Sequence, residues 1–337
     1  MIIMAWRKHA NGFSRPQAGA EDESPDETSY LRADNNGHSR DADECVSASP
    51  MLHHHPAPLL AQEWLIQRHE LVFSESDILL GYGGCACIVR GTYRRSQPVA
   101  VKLLPPDMLT DTAAKLLQRE AYILSLVSRP RHPNIVGFVG TWSGPHGVAG
   151  SPLLVTELLD MDLRELCTRS HLTKCAMLGI FLDVSYGLCY LHEQMQPIIH
   201  RDINPSNLLV KRLGSSQWRA KIGDFGSANH TSQGSVGSLG GGTELYSAPE
   251  TLPSTQSEPP AEGITVKADI YSYGVTVLEV VTGTLPEIDS YERCVKRLRS
   301  EWPDIHTLVE QCTQARPRNR PTASQVVDLL EQTSTKD

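Results

Sequence analysis

The sequence predicts an α+β fold, with a smaller β-rich part that carries one long helix and a larger, mainly helical part. Two observations support this prediction. Residues 78–102 have the pattern strand, glycine turn, strand, and residues 110–128 then place apolar side chains at helical spacing. Beyond residue 158 the apolar positions recur mainly at helical spacing, over 162–168, 173–194, 267–281 and 289–333.

Composition and charge exclude several classes of protein. The chain has 337 residues, a net charge of -8 and no run of lysine or arginine, which argues against a nucleic-acid partner. Its 8 cysteines form no C-x-x-C pair and no zinc spacing, so we expect reduced thiols and a cytoplasmic location, with a nuclear one left open. The apolar stretch 177–191 contains Asp183 and is shorter than the about 20 residues that cross a bilayer, so no membrane partner is expected.

The first 62 residues differ in composition from the rest. They are rich in Ser, Asp, Glu, Asn, Gly and Pro and show no periodic apolar pattern, as in the acidic stretch 21–27. Such a segment buries too little apolar surface to offset the entropy lost on ordering. The sequence therefore predicts a disordered acidic tail over 1–62 and a folded domain over 63–334.

A glycine-rich turn at 81–91 lies between two predicted strands, 78–80 and 98–102, and Lys102 ends the second of them. Glycines at a hairpin tip let backbone N–H groups approach an anion. Alone, such a hairpin is more often structural, and a strand instead of a helix follows it, which excludes a dinucleotide-binding fingerprint. Lys102 is the stronger indication, because a lysine at the end of an apolar strand needs a partner.

The predicted helix at 110–128 supplies a candidate partner for that lysine. Thr112 is its predicted N-cap, and Glu120 is spaced to share an inward stripe with Leu116 and Ile123. A charge on an apolar face requires a counter-charge, so we expect Glu120 to pair with Lys102. The alternative is an ordinary glutamate on the helix surface.

A short polar loop between two apolar stretches, residues 198–210, carries Asp202 and Asn207. Seventeen residues after Asn207, another apolar strand ends at Asp224. A carboxylate and an amide on loops between buried strands can point into one cleft, and Mg²⁺ binds such oxygen ligands together with substrate phosphates.

These motifs, in this order, resemble the eukaryotic protein kinases. The matching segments are His200-Arg201-Asp202 with Asn207, Asp224-Phe225-Gly226, and Gly242-Thr243-Glu244-Leu245-Tyr246-Ser247-Ala248-Pro249-Glu250. Trp64-Leu65-Ile66 and residues 267–274 further resemble the tyrosine-kinase-like group of Ser/Thr kinases. The resemblance implies a bilobal kinase fold over 63–334, with an N-lobe at about 70–157 and a C-lobe at about 158–334. It also implies phosphoryl transfer from ATP, with Mg²⁺, to Ser/Thr hydroxyls of a protein substrate.

The resemblance also assigns roles to individual residues. Asp202 would orient the acceptor hydroxyl and accept its proton, Lys102 and Glu120 would hold the phosphates, and Asn207 and Asp224 would bind the metal. Asn204 stands where the family generally carries a lysine. The implied nucleotide contacts are Gly81, Tyr82, Gly83, Gly84, Cys85, Ala86, Ile88, Ala100, Lys102, Thr156, Glu157, Leu159 and Leu209. Glu250 is expected to pair with Arg320, and Asp269 to anchor the catalytic-loop backbone.

Residues 227–242 form a Ser- and Gly-rich stretch whose plain interpretation is a flexible loop. The resemblance implies that an upstream kinase acts within 231–243, for which Thr231, Ser232, Ser235 and Ser238 are candidates, and that Arg201 responds to the phosphate. Two alternatives remain. Asn204 would suit a pseudokinase that acts as a nucleotide-binding or scaffolding module, while residues 242–250 argue against a small-molecule kinase.

Overall fold

The computed structural model describes residues 60–73, 79–83, 86–105, 108–142, 152–230, 244–252 and 263–334. Backbone contacts divide the chain into Met1–Pro56 and Ala57–Asp337, and every described residue belongs to the second unit. The predicted disordered tail therefore lies outside the described residues, except for its last three positions. Gly84, Cys85 and the predicted modification loop 231–243 also lie outside them.

The β-rich part is built on a six-stranded antiparallel sheet with the path β1-β3-β4-β6-β5, to which β2 adds by pairing with β3. Its strands are β1 (Leu71–Val72), β2 (Leu79–Gly83), β3 (Ala86–Tyr93), β4 (Gln97–Leu103), β5 (Phe138–Trp142) and β6 (Leu153–Glu157). Alternation along β4 buries Val99, Val101 and Leu103 on one face. The opposite face therefore presents Ala100 and Lys102 toward a cleft that both residues line.

Helix α1 (Asp111–Val127) packs beside this sheet, and it corrects two details of the sequence prediction. Its N-cap is Thr110 and not Thr112, because the Thr110 hydroxyl accepts a hydrogen bond from the Ala113 N–H at 3.1 Å. Leu116 is also outside the buried stripe: its side chain is 49% exposed, and it lies at the edge of the cleft. The buried stripe contains Glu120 as predicted.

The helical part begins after β6 and contains most of the remaining elements. Its helices are α2 (Leu163–Arg169), α3 (Lys174–His192), α4 (Lys267–Thr282), α5 (Ile288–Glu301), α6 (Pro303–Cys312) and α7 (Ala323–Ser334). Three small strands, β7 (Met161–Asp162), β9 (Leu208–Arg212) and β10 (Trp218–Ile222), form one sheet, and β8 (Ile198–Ile199) pairs with β11 (Asn229–His230). The α+β prediction is thus confirmed.

Helix α3 is the one described helix that is long and apolar enough to cross a membrane by length and composition alone. The core includes its side chains Leu178, Ile180, Phe181, Val184 and Leu188, and 44% of its apolar window is buried. The helix packs against α7 and β10.

The segment ahead of β1 is held against β5 by a close backbone approach at Gly140. The Ile66 N–H donates to the Thr141 carbonyl at 2.8 Å, and the rings of Trp64 and Phe138 lie 4.9 Å apart. Gly140 has φ +154°, and a Cβ there would lie 2.5 Å from the Trp64 carbonyl oxygen. A side chain at this position must displace the segment.

We therefore expect Gly140→Ala to lower the free energy of unfolding by about 3 kcal/mol, the cost of overpacking a site that cannot relax. Gly179→Ala is the matched control: Gly179 lies within α3, and a Cβ added there would have no neighbour within 4 Å, so alanine should stabilise by about 0.5–1 kcal/mol. Urea denaturation of the two variants measures both values. Equal effects of the two substitutions would contradict the close approach at Gly140.

Candidate active site

A cleft of about 830 Å³ lies where the six-stranded sheet and α1 face the loop between β8 and β9. Most of the residues to which the sequence assigned nucleotide or catalytic roles line this one cleft. They are Gly81, Ala86, Ile88, Ala100, Lys102, Glu120, Thr156, Glu157, Leu159, Asp202, Asn204, Asn207, Leu209 and Asp224. Tyr82 and Gly83 lie at the end of β2, paired with Cys87 and Ala86. Charged side chains from segments far apart in the sequence meet in this cleft: Lys102, Glu120, Asp202 and Asp224.

Lys102 forms the centre of the charged cluster. Its Nζ lies 2.9 Å from Glu120 Oε2 and 2.8 Å from Asp224 Oδ1, which confirms the predicted contact with Glu120. Burial lowers the pKa of Lys102, but the Glu120 and Asp224 charges outweigh it and raise the pKa above its ordinary value. Burial acts to raise the pKa of Asp224, and Lys102 reverses this, so the net pKa of that carboxyl is lowered. The ammonium and the Asp224 carboxylate therefore both remain charged at neutral pH.

Glu120 is nearly inaccessible to solvent, with 4% of its surface exposed. Burial raises the pKa of its carboxyl, and Lys102 opposes that effect. Because Glu120 lies on the buried face of α1, its carboxylate needs Lys102 as a counter-charge. An isolated carboxylate at this depth would be costly.

The loop between β8 and β9 presents Asp202 between two side-chain amides. Asn204 Nδ2 donates to Asp202 Oδ1 at 2.9 Å, and Asn207 Nδ2 donates to Asp202 Oδ2 at 2.7 Å. Asn204 is 4% exposed, and its Oδ1 accepts a hydrogen bond from the Ser206 N–H at 2.9 Å. Each carboxylate oxygen of Asp202 therefore has a neutral donor that fixes its direction.

Asp269 holds the backbone at the start of this loop, as predicted. Its two carboxylate oxygens accept hydrogen bonds from the backbone N–H groups of His200 and Arg201, each at 2.8 Å. Arg201 adopts φ +68°, a strained conformation for a residue with a side chain. Asp269 is fully buried, and these bonds fix that backbone turn.

Phe225, the residue after Asp224, makes an aromatic contact with His200. The ring of Phe225 is fully buried and meets the His200 ring edge-on at 5.0 Å. His200 Nε2 lies 2.8 Å from the Gly223 carbonyl oxygen. The loop between β8 and β9 therefore contacts the segment that carries Asp224 directly.

The end of strand β6 limits the predicted nucleotide contact at Glu157. The Glu157 N–H donates to the Gly137 carbonyl at 2.8 Å, so this group is not available to a nucleotide base. The Glu157 carboxylate accepts from the Gly137 N–H and from Lys221 Nζ, each at 2.6 Å. Its side chain therefore acts within the fold.

Sequence reasoning missed several residues that line the cleft. Arg164 and Ser206 are the most notable, because both are polar and hydrogen-bond to each other, and the Ser206 N–H donates to Asn204 Oδ1. Asp160, Met161, Asp162 and Glu165 line it as well. Arg164 carries no sequence signal of its own, since an arginine in a first helical turn is ordinary on a protein surface.

Comparisons with known proteins agree with this geometry. A family model described as a protein kinase domain matches residues 74–330. A probable serine/threonine-protein kinase of Dictyostelium discoideum is 30% identical over 283 residues, which is 80% of this chain and 25% of that protein. The serine/threonine-protein kinase VIK of Arabidopsis thaliana is 29% identical over 80% of this chain and 62% of its own length. The dual specificity protein kinase shkE of D. discoideum is 29% identical over 80% of this chain and 38% of its own. The chain therefore spans less than two thirds of each of these relatives.

Proposed function

The chain belongs to the protein kinase family, and we propose that it transfers the γ-phosphoryl group of ATP to serine or threonine hydroxyls of a protein. The observation that carries this proposal is the convergence of Lys102, Glu120, Asp202, Asn207 and Asp224 in one cleft. The Ser/Thr kinases among the relatives support the acceptor class. We expect the reaction to rely on positioning and charge neutralisation more than on covalent chemistry.

In the proposed reaction each of these side chains has one task. Asp202, held by its two asparagines, orients the acceptor hydroxyl and takes its proton. Lys102 stays protonated because two carboxylates face it, so it can neutralise phosphate charge. Glu120 keeps the lysine directed into the cleft instead of toward solvent.

We propose Mg²⁺ as the metal, held by Asn207 and Asp224. Because Asn207 Nδ2 donates to Asp202, its Oδ1 is oriented away from that bond, and Asp224 lines the same cleft with 37% of its side chain exposed. Among the described residues no cluster of three or more His, Cys, Asp or Glu could hold a metal unaided. A coordination shell of two protein oxygens, phosphate oxygens and water is typical of Mg²⁺. When bound, the ion would neutralise phosphate charge.

Incorporation of radiolabelled phosphate from γ-labelled ATP into a generic protein acceptor tests the function. We expect wild-type protein and Glu292→Gln, a change at a side chain 88% exposed, to label the acceptor equally. Asp202→Asn should reduce labelling to background, because the amide cannot accept the proton. Equal background labelling by all three proteins would favour the pseudokinase alternative.

The acceptor class is tested by phosphoamino-acid analysis of the labelled product. We expect phosphoserine and phosphothreonine. Thr243 of the matching segment 242–250 lies outside the described residues, and one relative is named a dual specificity kinase. Predominant phosphotyrosine would overturn the Ser/Thr assignment.

Asn204 replaces the lysine that the family generally carries, and its geometry suggests a role in orientation. An amide can donate a hydrogen bond but cannot neutralise charge. We expect Asn204→Ala to lower kcat about tenfold, because Asp202 loses one of two donors that aim it. Steady-state kinetics on wild type and Asn204→Ala measure the effect; unchanged kcat would show that Asn207 alone suffices.

We further propose that phosphorylation within 231–243 by an upstream kinase increases activity, with Arg119 and Arg201 as the phosphate ligands. Among the described residues, Arg201 Nε is buried without a hydrogen-bond partner. Burial and the nearby Arg119 charge lower the pKa of Arg201. Two such cations near the start of that loop favour an incoming anion.

We also propose Glu244–Tyr246 and the residues up to 252 as the docking segment for the acceptor protein.

Removal of phosphate should therefore lower the activity of the wild-type protein by about tenfold, because the two arginines again repel each other without an anion between them. Arg201→Gln should be insensitive to the same phosphatase treatment, whereas Arg293→Gln, an exposed position on α5, should respond like wild type. Activity assays before and after phosphatase treatment give the comparison. A full response in Arg201→Gln would exclude Arg201 as the phosphate ligand.

A further inference from the structure

Arg164, in the first turn of α2, joins three segments that are distant in sequence. Its Nε donates to Ser206 Oγ at 2.9 Å, its Nη1 to Glu279 Oε1 at 2.6 Å, and its Nη2 to Tyr246 Oη at 2.7 Å. Ser206 lies in the catalytic loop, Tyr246 in the proposed docking segment and Glu279 in α4. One planar guanidinium thus contacts both segments that the proposed reaction must align.

The backbone strengthens the connection to the catalytic loop. The N–H groups of Leu163 and Arg164 both donate to the Pro205 carbonyl, at 3.1 and 3.2 Å. Pro205 and Ser206 lie between the predicted catalytic residues Asp202 and Asn207. The start of α2 therefore holds the middle of this loop by one backbone acceptor and one side-chain acceptor.

The connection to the docking segment is equally well defined. Tyr246 is 2% exposed, its hydroxyl donates to the second carboxylate oxygen of Glu279, and its carbonyl accepts from Ser272 Oγ at 2.7 Å. Burial and the bond to Glu279 raise the pKa of Tyr246, so the hydroxyl remains a donor at neutral pH. Glu279 thus receives two donors, one from Arg164 and one from Tyr246.

Arg164 also contacts the loop that carries Asp202, the residue proposed to act on the acceptor hydroxyl. It lines the cleft together with Asp202, Asn204 and Ser206, and 38% of its side chain is exposed. None of its three side-chain partners is Lys102, Asn207 or Asp224. A change at Arg164 should therefore affect acceptor placement and leave nucleotide binding intact.

We propose that Arg164 is a positioning residue that couples the docking segment at Tyr246 to the catalytic loop at Ser206. The inference rests on the proposed function and adds to it a specific linkage between acceptor docking and Asp202. It attributes this linkage to one side chain whose three donor nitrogens are all engaged across the two segments and α4.

Kinetics with both substrates varied separately test the proposal. We expect Arg164→Met to raise the KM for the acceptor protein about tenfold while the KM for ATP stays within about twofold, because only the acceptor side loses its alignment. Arg164→Lys, which keeps the charge but not the fork, should recover part of the loss. Arg169→Met is the matched control: Arg169 lies on the same helix, is 65% exposed and, among the residues that the structure describes, pairs only with Glu165. It should leave both constants unchanged.

A double-mutant cycle isolates the coupling while it keeps the Arg164–Glu279 ion pair. Ser206→Ala and Tyr246→Phe each delete one bond to Arg164 and keep the Arg164–Glu279 ion pair, so they test the idea even where Arg164→Met folds poorly. Their effects on kcat/KM for the acceptor should be non-additive in the wild type and additive in the Arg164→Lys background. Additive effects in both backgrounds, or a parallel rise of both KM values, would overturn the proposal.

Hydrogen exchange supplies a readout that does not depend on catalysis. We expect Arg164→Lys to increase amide exchange in 203–208 and in 244–247 together, with little change in α3. Increased exchange in one segment alone would contradict the coupling. If the wild type transfers no phosphoryl group, the proposed function fails, whereas joint loss of protection still supports the linkage and its absence rejects it.

Discussion

Lys102→Met is expected to reduce phosphoryl transfer by about 10³-fold, because it removes the ammonium that faces both Glu120 and Asp224 in the cleft. The protein should remain folded. Burial already raises the pKa of Glu120, so the carboxyl left without its lysine can take up a proton instead of remaining a buried, unpaired charge. Label incorporation and thermal unfolding, measured on the same preparation, test both statements.

The matched control for this prediction is Lys296→Met, which removes the same charge from a side chain that is 80% exposed. It should match wild type in both measurements. Wild-type labelling by Lys102→Met would remove Lys102 from the mechanism. A complete loss of cooperative unfolding in that variant would instead show that the cluster is needed for folding.

The second large effect is expected on stability. Arg320→Met should lower the free energy of unfolding by about 3–5 kcal/mol, because it leaves the buried Glu250 carboxylate without its partner. Arg320 is 2% exposed and binds Glu250 through Nη1 and Nη2 at 2.6 and 2.8 Å. It also donates to the carbonyls of Gln314, Lys267 and Ala315, all of which would lose a donor.

Urea denaturation measures this effect, with Arg169→Met as the matched control. Arg169 and Glu165 form an ion pair whose side chains are 65% and 37% exposed, so its loss should cost less than about 1 kcal/mol. The double variant Arg320→Met/Glu250→Met should recover part of the lost stability, since no charge then remains buried. A loss below about 1 kcal/mol for Arg320→Met would refute a structural role for the pair.

Particular residues show how far sequence reasoning reached. The Lys102–Glu120 contact was predictable because both charges lie on otherwise apolar stripes, where each needs a partner. The Glu250–Arg320 pair and the Asp269 anchor followed from the family resemblance, and the structure confirms both contacts. The catalytic and binding roles assigned to the cleft residues stay predictions.

The misses have physical causes. Thr110 rather than Thr112 caps α1, because any threonine near a helix start satisfies the same local pattern and only the backbone geometry selects one. Leu116 was placed in the buried stripe by its spacing, but a residue at the border of that stripe meets the cleft instead of the core. Arg164 was missed because its three partners come from segments far apart in the chain.

The sequence by itself determined the fold class and the order of the elements, since apolar periodicity is a local property, and its resemblance to the protein kinases proposed the residues for phosphoryl transfer. Only the tertiary structure decided which groups touch: that Asp224 joins the Lys102–Glu120 pair, that two asparagines hold Asp202, and that Arg164 links Ser206 to Tyr246. These contacts join residues that are remote in sequence, and side-chain hydrogen bonds depend on ångström-scale distances set by packing.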